Sequence, residues 1–129
     1  MKPMIYKESR EIDVLDSGVY RGYKYAIVSN GTHPCAYVEN KIGATDMWDD
    51  VAKEVDCHFG VTYVGRAYWD DDDNDSYIGW DYAHCDDFAG YYTEKDEWLW
   101  NYTKRWTTEE IQSEVFAVVD RFVFGWYNE

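Results

Sequence analysis

The chain has 129 residues, of which 46% are hydrophobic and 19% aromatic; this composition excludes intrinsic disorder and fits a single domain over residues 1–129. Its formal net charge of −14 argues against direct binding to nucleic acid or to an anionic membrane, because both would repel it. Three cysteines and an N-terminus without an apolar segment predict a soluble, cytoplasmic protein with reduced thiols and no disulfide framework.

The N-terminal third of the chain predicts antiparallel strands. Residues 12–15 suggest a short strand or a segment packed on the core, and residues 16–18, Asp-Ser-Gly, suggest a turn. Residues 19–29 are rich in aromatic and β-branched side chains and predict one strand. The Asn-Gly pair at 30–31 is a strong hairpin signal, so residues 33–40 are expected to be the returning strand.

Two segments predict helices. Residues 43–55 carry apolar side chains at helical spacing, with Thr45 or Asp46 as the candidate N-cap. Residues 107–124 open with a Thr-x-x-Glu capping box and continue with one apolar stripe, so this is the most clearly marked element of the chain.

A second hairpin is predicted between Cys57 and His84, where two aromatic-rich strands flank a run of aspartates. Residues 88–106 show no clean period and predict a loop with a short strand around Trp98 to Tyr102. Together, these strands and helices predict an α+β fold in which an antiparallel sheet of four to five strands carries two helices on one face.

The outer ends of this second hairpin hold candidate catalytic or metal-binding residues. If its strands pair antiparallel, His58, Asp81, His84 and Asp87 come within reach of one another. Imidazole and carboxylate ligands suit a hydrolytic divalent-metal centre, so a divalent metal is the one candidate cofactor. The same groups also suit a buried hydrogen-bond network that ties the strand ends together. Both interpretations stay open at this point.

Two other metal or cysteine sites have weaker support in the sequence. Cys57-His58 and His84-Cys85 supply the ligand types of a zinc site, but neighbours in a strand point to opposite faces. A nucleophilic cysteine with a histidine base is also conceivable, although no thiol is marked as activated and buried cysteine is the default.

The aspartate run also invites comparison with a calcium loop. Asp70, Asp72, Asn74 and Asp81 fall at positions 1, 3, 5 and 12 of an EF-hand-like spacing. Position 6, however, is Asp75 where the loop needs glycine, and both flanks read as strands. A solvated turn is the simpler interpretation.

Three motifs carry a family resemblance: HPCAYV at 33–38, HFGVTYVG at 58–65 and GWDYAHCDD at 79–87. In this order they resemble a family of small phage and prophage proteins with HxGxTYxG and GxDxAHxxD motifs and a C-terminal helix. Among the positions marked x, the chain replaces the family's usual residue by Phe59, Val64, Trp80, Tyr82 and Asp86. The resemblance implies a phage-encoded protein that works in the cytoplasm of the host cell, and it implies no reaction.

The acidic residues are unevenly distributed. Residues 70–97 contain eleven acids and one base, a net charge of −10 out of −14. Such a surface, set among aromatic side chains, is suited to a basic protein partner and to fast, electrostatically steered binding. Acidity that serves only solubility is the plain alternative. The candidate binding residues are Asp70, Asp71, Asp72, Asp73, Asp75, Asp86 and Asp87.

Three functional hypotheses follow, and the first leads. It is a non-enzymatic phage accessory protein that binds a basic host protein and inhibits a nucleic-acid-acting or defence enzyme. The second is a small metal-dependent hydrolase of a phosphate-containing substrate. The third is a structural or assembly protein that forms a homodimer through exposed aromatic side chains.

Overall fold

The strands that the structure describes form one antiparallel sheet. The computed structural model describes residues 12–29, 33–82 and 106–125. Five strands are present in this part of the chain, in the spatial order β1-β2-β3-β5-β4. Their bounds are Asp13–Tyr20 (β1), Tyr23–Ser29 (β2), Pro34–Glu39 (β3), Tyr63–Arg66 (β4) and Ser76–Asp81 (β5). The described residues also form two helices, α1 at Asp50–Lys53 and α2 at Thr108–Val123, and the fold class is α+β as expected from the sequence.

The first turn of the sheet differs from the prediction. Residues 16–18 are not a turn but lie inside β1, and the predicted strand over 19–29 is interrupted at Arg21 and Gly22. These two residues have φ values of 50° and 86°, as a tight hairpin turn with two left-handed residues requires. The prediction was wrong because Asp-Ser-Gly is the more familiar turn sequence, while Arg21 in a left-handed conformation has little sequence signal.

The remaining strand pairings agree with the sequence. β2 pairs antiparallel with β3, and β4 pairs antiparallel with β5, which confirms the second hairpin. β3 also pairs antiparallel with β5, a contact between segments distant in the sequence. The predicted Asn-Gly turn at 30–31 and the predicted loop at 88–106 fall almost wholly outside the described residues.

Helix α2 covers one face of the sheet, as its apolar stripe predicted. Thr107 is the N-cap, and it forms the expected capping box with Glu110. The helix packs against alternate residues of the strands, of which Ile27, Val38 and Ile78 are fully buried. Its own fully buried side chains are Ile111, Val115, Val118 and Val119.

The first predicted helix is much shorter than expected. Only Asp50–Lys53 is helical within the predicted range 43–55, and its N-cap is Asp49 rather than Thr45 or Asp46. Asp46 accepts a hydrogen bond from the backbone of Trp48, and Asp49 accepts from the backbones of Thr45 and Val51. These local bonds hold residues 45–49 in turns that compete with helix formation.

The opposite face of the sheet carries a second, aromatic cluster. Tyr37 lies at its centre, with its ring edge-on to Tyr63 and stacked on Trp69. Gly79, the cross-strand partner of Tyr37, leaves room for this ring, because a Cβ at Gly79 would lie 2.4 Å from a carbon of Tyr37.

Candidate functional site

The loop that joins β4 to β5, residues 67–75, is not a free hairpin tip. It folds back across the sheet face opposite α2 and is anchored there by Trp69. The Trp69 ring stacks on Tyr37 with centroids 4.3 Å apart, and its edge meets Tyr77 at 5.0 Å. Ala67, at the start of the loop, is buried as well. The aspartates therefore lie on a loop that packs against the sheet. We call residues 67–75 the acidic loop.

Asp73 ties the acidic loop to two strands. The Tyr77 hydroxyl donates a hydrogen bond of 2.5 Å to Asp73 Oδ2, and Lys24 Nζ on β2 donates one of 3.1 Å to the same oxygen. Lys24 also pairs with Asp75 at 2.7 Å. The hydrogen bond from Tyr77, followed by smaller contributions from the backbone N–H of Asp75 and from Lys24, lowers the pKa of Asp73. Asp73, whose side chain is only 12% exposed, is thus a structural residue of the loop.

Three aspartates are exposed at the turn of the acidic loop. We call them the aspartate triplet: Asp70, Asp71 and Asp72. Asp70 Oδ1 accepts a hydrogen bond of 3.0 Å from the backbone N–H of Asp72, so the turn is held by its own side chain. No cation in the described part of the chain lies within ion-pair distance of the triplet. Asp86 and Asp87 lie outside the described residues.

The EF-hand interpretation of the aspartate run is wrong. It needs Asp70, Asp72 and Asp81 around one ion, but within the described residues no three His, Cys, Asp or Glu side chains cluster as a metal site requires. The side-chain oxygen of Asn74, another candidate ligand, accepts a hydrogen bond from Arg66 instead.

A pocket opens between β1 and the acidic loop. Its volume is about 310 Å³, and its lining combines carboxylates, aromatic rings and aliphatic side chains. Lys24 stands in the lining, with Nζ 5.9 Å from the centre of the Tyr77 ring. The acidic loop therefore has a concave side as well as an exposed charged one.

At the other end of the second hairpin, His58 packs among aromatic rings. It stacks on Tyr82 with centroids 4.6 Å apart and meets Trp106 edge-on at 5.0 Å. The next residue, Phe59, is 63% exposed and has a φ of 58°, a left-handed conformation that costs roughly 1–2 kcal/mol in a residue other than glycine. The histidine predicted as a ligand thus stands beside the apolar core.

Tyr82 and Glu114 form the polar centre of this region. The Tyr82 hydroxyl donates a hydrogen bond to the Glu114 carboxylate. Trp80 Nε1 donates to the Tyr82 oxygen at 3.0 Å and to Glu114 at 3.3 Å. Burial, together with the bond to Glu114, raises the pKa of Tyr82 well above its ordinary range. This network links β5 to α2.

Asp81 lies toward the opposite face of the sheet from Tyr82. It pairs with Cys35 across β3 and β5, and residues paired in this way share a face. Its carboxylate accepts a hydrogen bond of 3.1 Å from the Thr62 hydroxyl. His84 lies outside the described residues. Within those that are described, no three His, Cys, Asp or Glu side chains cluster as a metal site requires. The four-residue site stays a prediction.

The two cysteines in the described ranges are not activated nucleophiles. Burial raises the pKa of the Cys35 thiol to about 11. Burial also raises the pKa of Cys57, and the nearby Glu114 carboxylate raises it further. Both thiols are therefore protonated at neutral pH, when a nucleophile would need the thiolate. Cys85 lies outside these ranges.

Sequence reasoning missed the residues that position the acidic loop. Lys24 lay within the predicted strand 19–29, and Trp69 was given no role. An aromatic residue next to a run of aspartates is a usable sign that the run is anchored. No local pattern indicates the contact of Lys24 with Asp73, because 49 residues separate them.

Comparison with known proteins gives no relative: no protein-family model, no curated protein and no solved structure matches this chain. Neither helix in the described ranges is long and apolar enough to cross a membrane.

Proposed function

We propose that this chain is a phage-encoded accessory protein that binds a basic host protein through the acidic loop. A host enzyme that acts on nucleic acid, including a defence nuclease, is the proposed target, and inhibition is the proposed outcome. The aspartate triplet carries the proposal, because it is held exposed on a loop that the sheet fixes in place. The phage origin is supported by the three sequence motifs described above.

The physical basis is preorganised charge. A flexible acidic tail loses conformational entropy when it binds, whereas a loop anchored by Trp69 and Asp73 is already ordered. Carboxylates in a fixed arrangement offer a basic groove a negative surface of the kind that a nucleic acid offers. The net charge of −14 also steers a basic partner toward the protein.

The test is a pull-down from bacterial lysate, with the bound proteins identified by mass spectrometry. The variant replaces Asp70, Asp71 and Asp72 by asparagine, and it leaves Asp73 in place because Asp73 holds the loop. The control variant, Asp46→Asn, Asp50→Asn and Glu54→Gln, removes the same charge from exposed positions elsewhere.

We expect a basic protein to be captured by the wild type and the control variant but not by the triplet variant. Salt at about 0.5 M, where the Debye length falls below roughly 5 Å, should release it. A partner that is retained by the triplet variant, or at high salt, would contradict the proposal.

Assembly with a second copy is the other candidate function, and one observation favours it. β1 is an edge strand of eight residues with exposed apolar side chains, Val14 at 47% and Val19 at 66%. Exposed edges of this kind can pair with another chain. Two copies that each carry −14 repel one another, so added salt should strengthen a dimer. Light scattering at low and high salt measures the dimer. A dimer that becomes stronger with salt supports assembly, whereas binding to a basic partner becomes weaker with salt.

A further inference from the structure

The pocket beside the acidic loop has the composition of a site for a cationic side chain. Trp69 and Tyr77 line it from the loop and β5, and Val14 and Val19 line it from β1. Its volume of about 310 Å³ is at the lower end of the range for ligand pockets, roughly 300–1,000 Å³. A single long side chain is an occupant of suitable size.

The charges around the pocket favour a cation. Asp70 and Asp73 line it, and Asp75 shares the ammonium of Lys24 with Asp73. Three carboxylates and one ammonium sum to −2, so one further positive group is attracted. Asp70 is the carboxylate that Lys24 does not pair with.

Lys24 shows how this environment holds a cation. Its Nζ contacts two carboxylates and lies 5.9 Å from the centre of the Tyr77 ring. Carboxylates and an aromatic face thus act together on one charged group, as in cation–π sites that bind ligand cations. A second cation entering from solvent would meet Asp70 and Trp69 in the same way, with its aliphatic stem along Val14 and Val19.

We propose that this pocket receives an arginine side chain of the basic partner. The inference rests on the proposed function and names the group through which the partner is recognised. Arginine fits better than lysine, because a planar guanidinium stacks on an aromatic ring while its N–H groups bind a carboxylate.

The first test uses N-acetyl-arginine amide as the probe and N-acetyl-citrulline amide, which lacks the charge, as its control. Binding is followed by NMR, through the backbone amides of Ser17 and Gly18 and the indole N–H of Trp69, which is assigned with Trp69→Phe. We expect the arginine probe to shift these signals and the citrulline probe to leave them unchanged. Equal shifts with both probes, or none with either, would overturn the proposal.

Two matched variants locate the site. Asp70→Asn removes the charge from the pocket but keeps the oxygen that holds the turn, and Asp71→Asn removes the same charge from a residue outside the lining. Asp70→Asn should weaken binding of the arginine probe by roughly fivefold, and Asp71→Asn by less than about twofold. Equal effects of the two variants would mean that the probe is attracted only by the overall negative charge of the protein, and the pocket proposal would be wrong.

The same two variants separate this inference from the proposed function. If both weaken capture of the host partner equally, the acidic loop binds the partner but the pocket does not select arginine. If the triplet variant retains the partner, the proposed function fails, and the probe titration still decides whether the pocket binds a guanidinium.

Discussion

Trp69 stacks on Tyr37 with ring centroids 4.3 Å apart, and this contact fixes the acidic loop on the sheet. Asp73, through its bonds to Tyr77 and Lys24, holds the other end of the loop. A hydrophobic contact between two aromatic rings thus decides where five aspartates are presented.

Trp69→Ala is expected to destabilise the protein by about 3 kcal/mol, the usual cost of removing a large packed aromatic side chain. Urea unfolding followed by circular dichroism measures this change. Trp48, which is 70% exposed, provides the control: Trp48→Ala should change stability by no more than about 0.5 kcal/mol. Similar losses in the two variants would show that Trp69 does not anchor the loop.

Tyr82→Phe is expected to cost about 1–3 kcal/mol, because it removes the hydroxyl that donates to Glu114 in a mostly buried setting. Tyr63→Phe is the control, because its hydroxyl donates to the backbone oxygen of Arg66 at an exposed position, where water can replace the lost bond. Chemical unfolding of both variants tests the difference, and a Tyr82→Phe protein as stable as wild type would contradict it.

Alkaline pH is expected to weaken the fold, partly through Cys35. Its pKa is raised from an ordinary value of about 9.0 to about 11 in the folded protein. The unfolded chain therefore loses this proton first, and the stability it contributes is complete below pH 9 and is lost as pH rises toward 11.

Cys35→Ala should remove this contribution. We expect the variant to lose less stability than wild type between about pH 8.5 and 10.5, by on the order of 2 kcal/mol. Urea unfolding at a series of pH values measures both slopes. Parallel slopes would show that Cys35 does not ionise in this range on unfolding.

Thr107→Ala is expected to destabilise the protein by about 1 kcal/mol, because Thr107 accepts from the backbone of Glu110 at the start of α2. Thr108→Ala, one position later, removes the same type of side chain without removing the cap. Its effect should be clearly smaller in the same thermal or urea unfolding experiment. If Thr108→Ala proves the more costly change, the capping box is not what stabilises this helix end.

The sequence predicted the elements whose signals are local. Helix α2 was marked by its apolar stripe and its capping box, and both are present. The second hairpin was marked by aromatic strands on either side of a polar run, and β4 and β5 pair as expected. The first turn and the first helix were predicted wrongly, since Arg21 carries no turn signal and the side chains of Asp46 and Asp49 compete with the helix.

By itself the sequence determined the fold class, the helix on one face and the excess of negative charge, because periodicity, capping and composition depend on neighbouring residues. Only the tertiary structure decided that the acidic loop lies against the sheet and that Asp73 is bound by Lys24, while Asp70, Asp71 and Asp72 face solvent. Lys24 reaches the loop from β2, and Trp69 within the loop stacks on Tyr37 of β3. Such contacts depend on strand order and burial, which no local pattern of residues encodes.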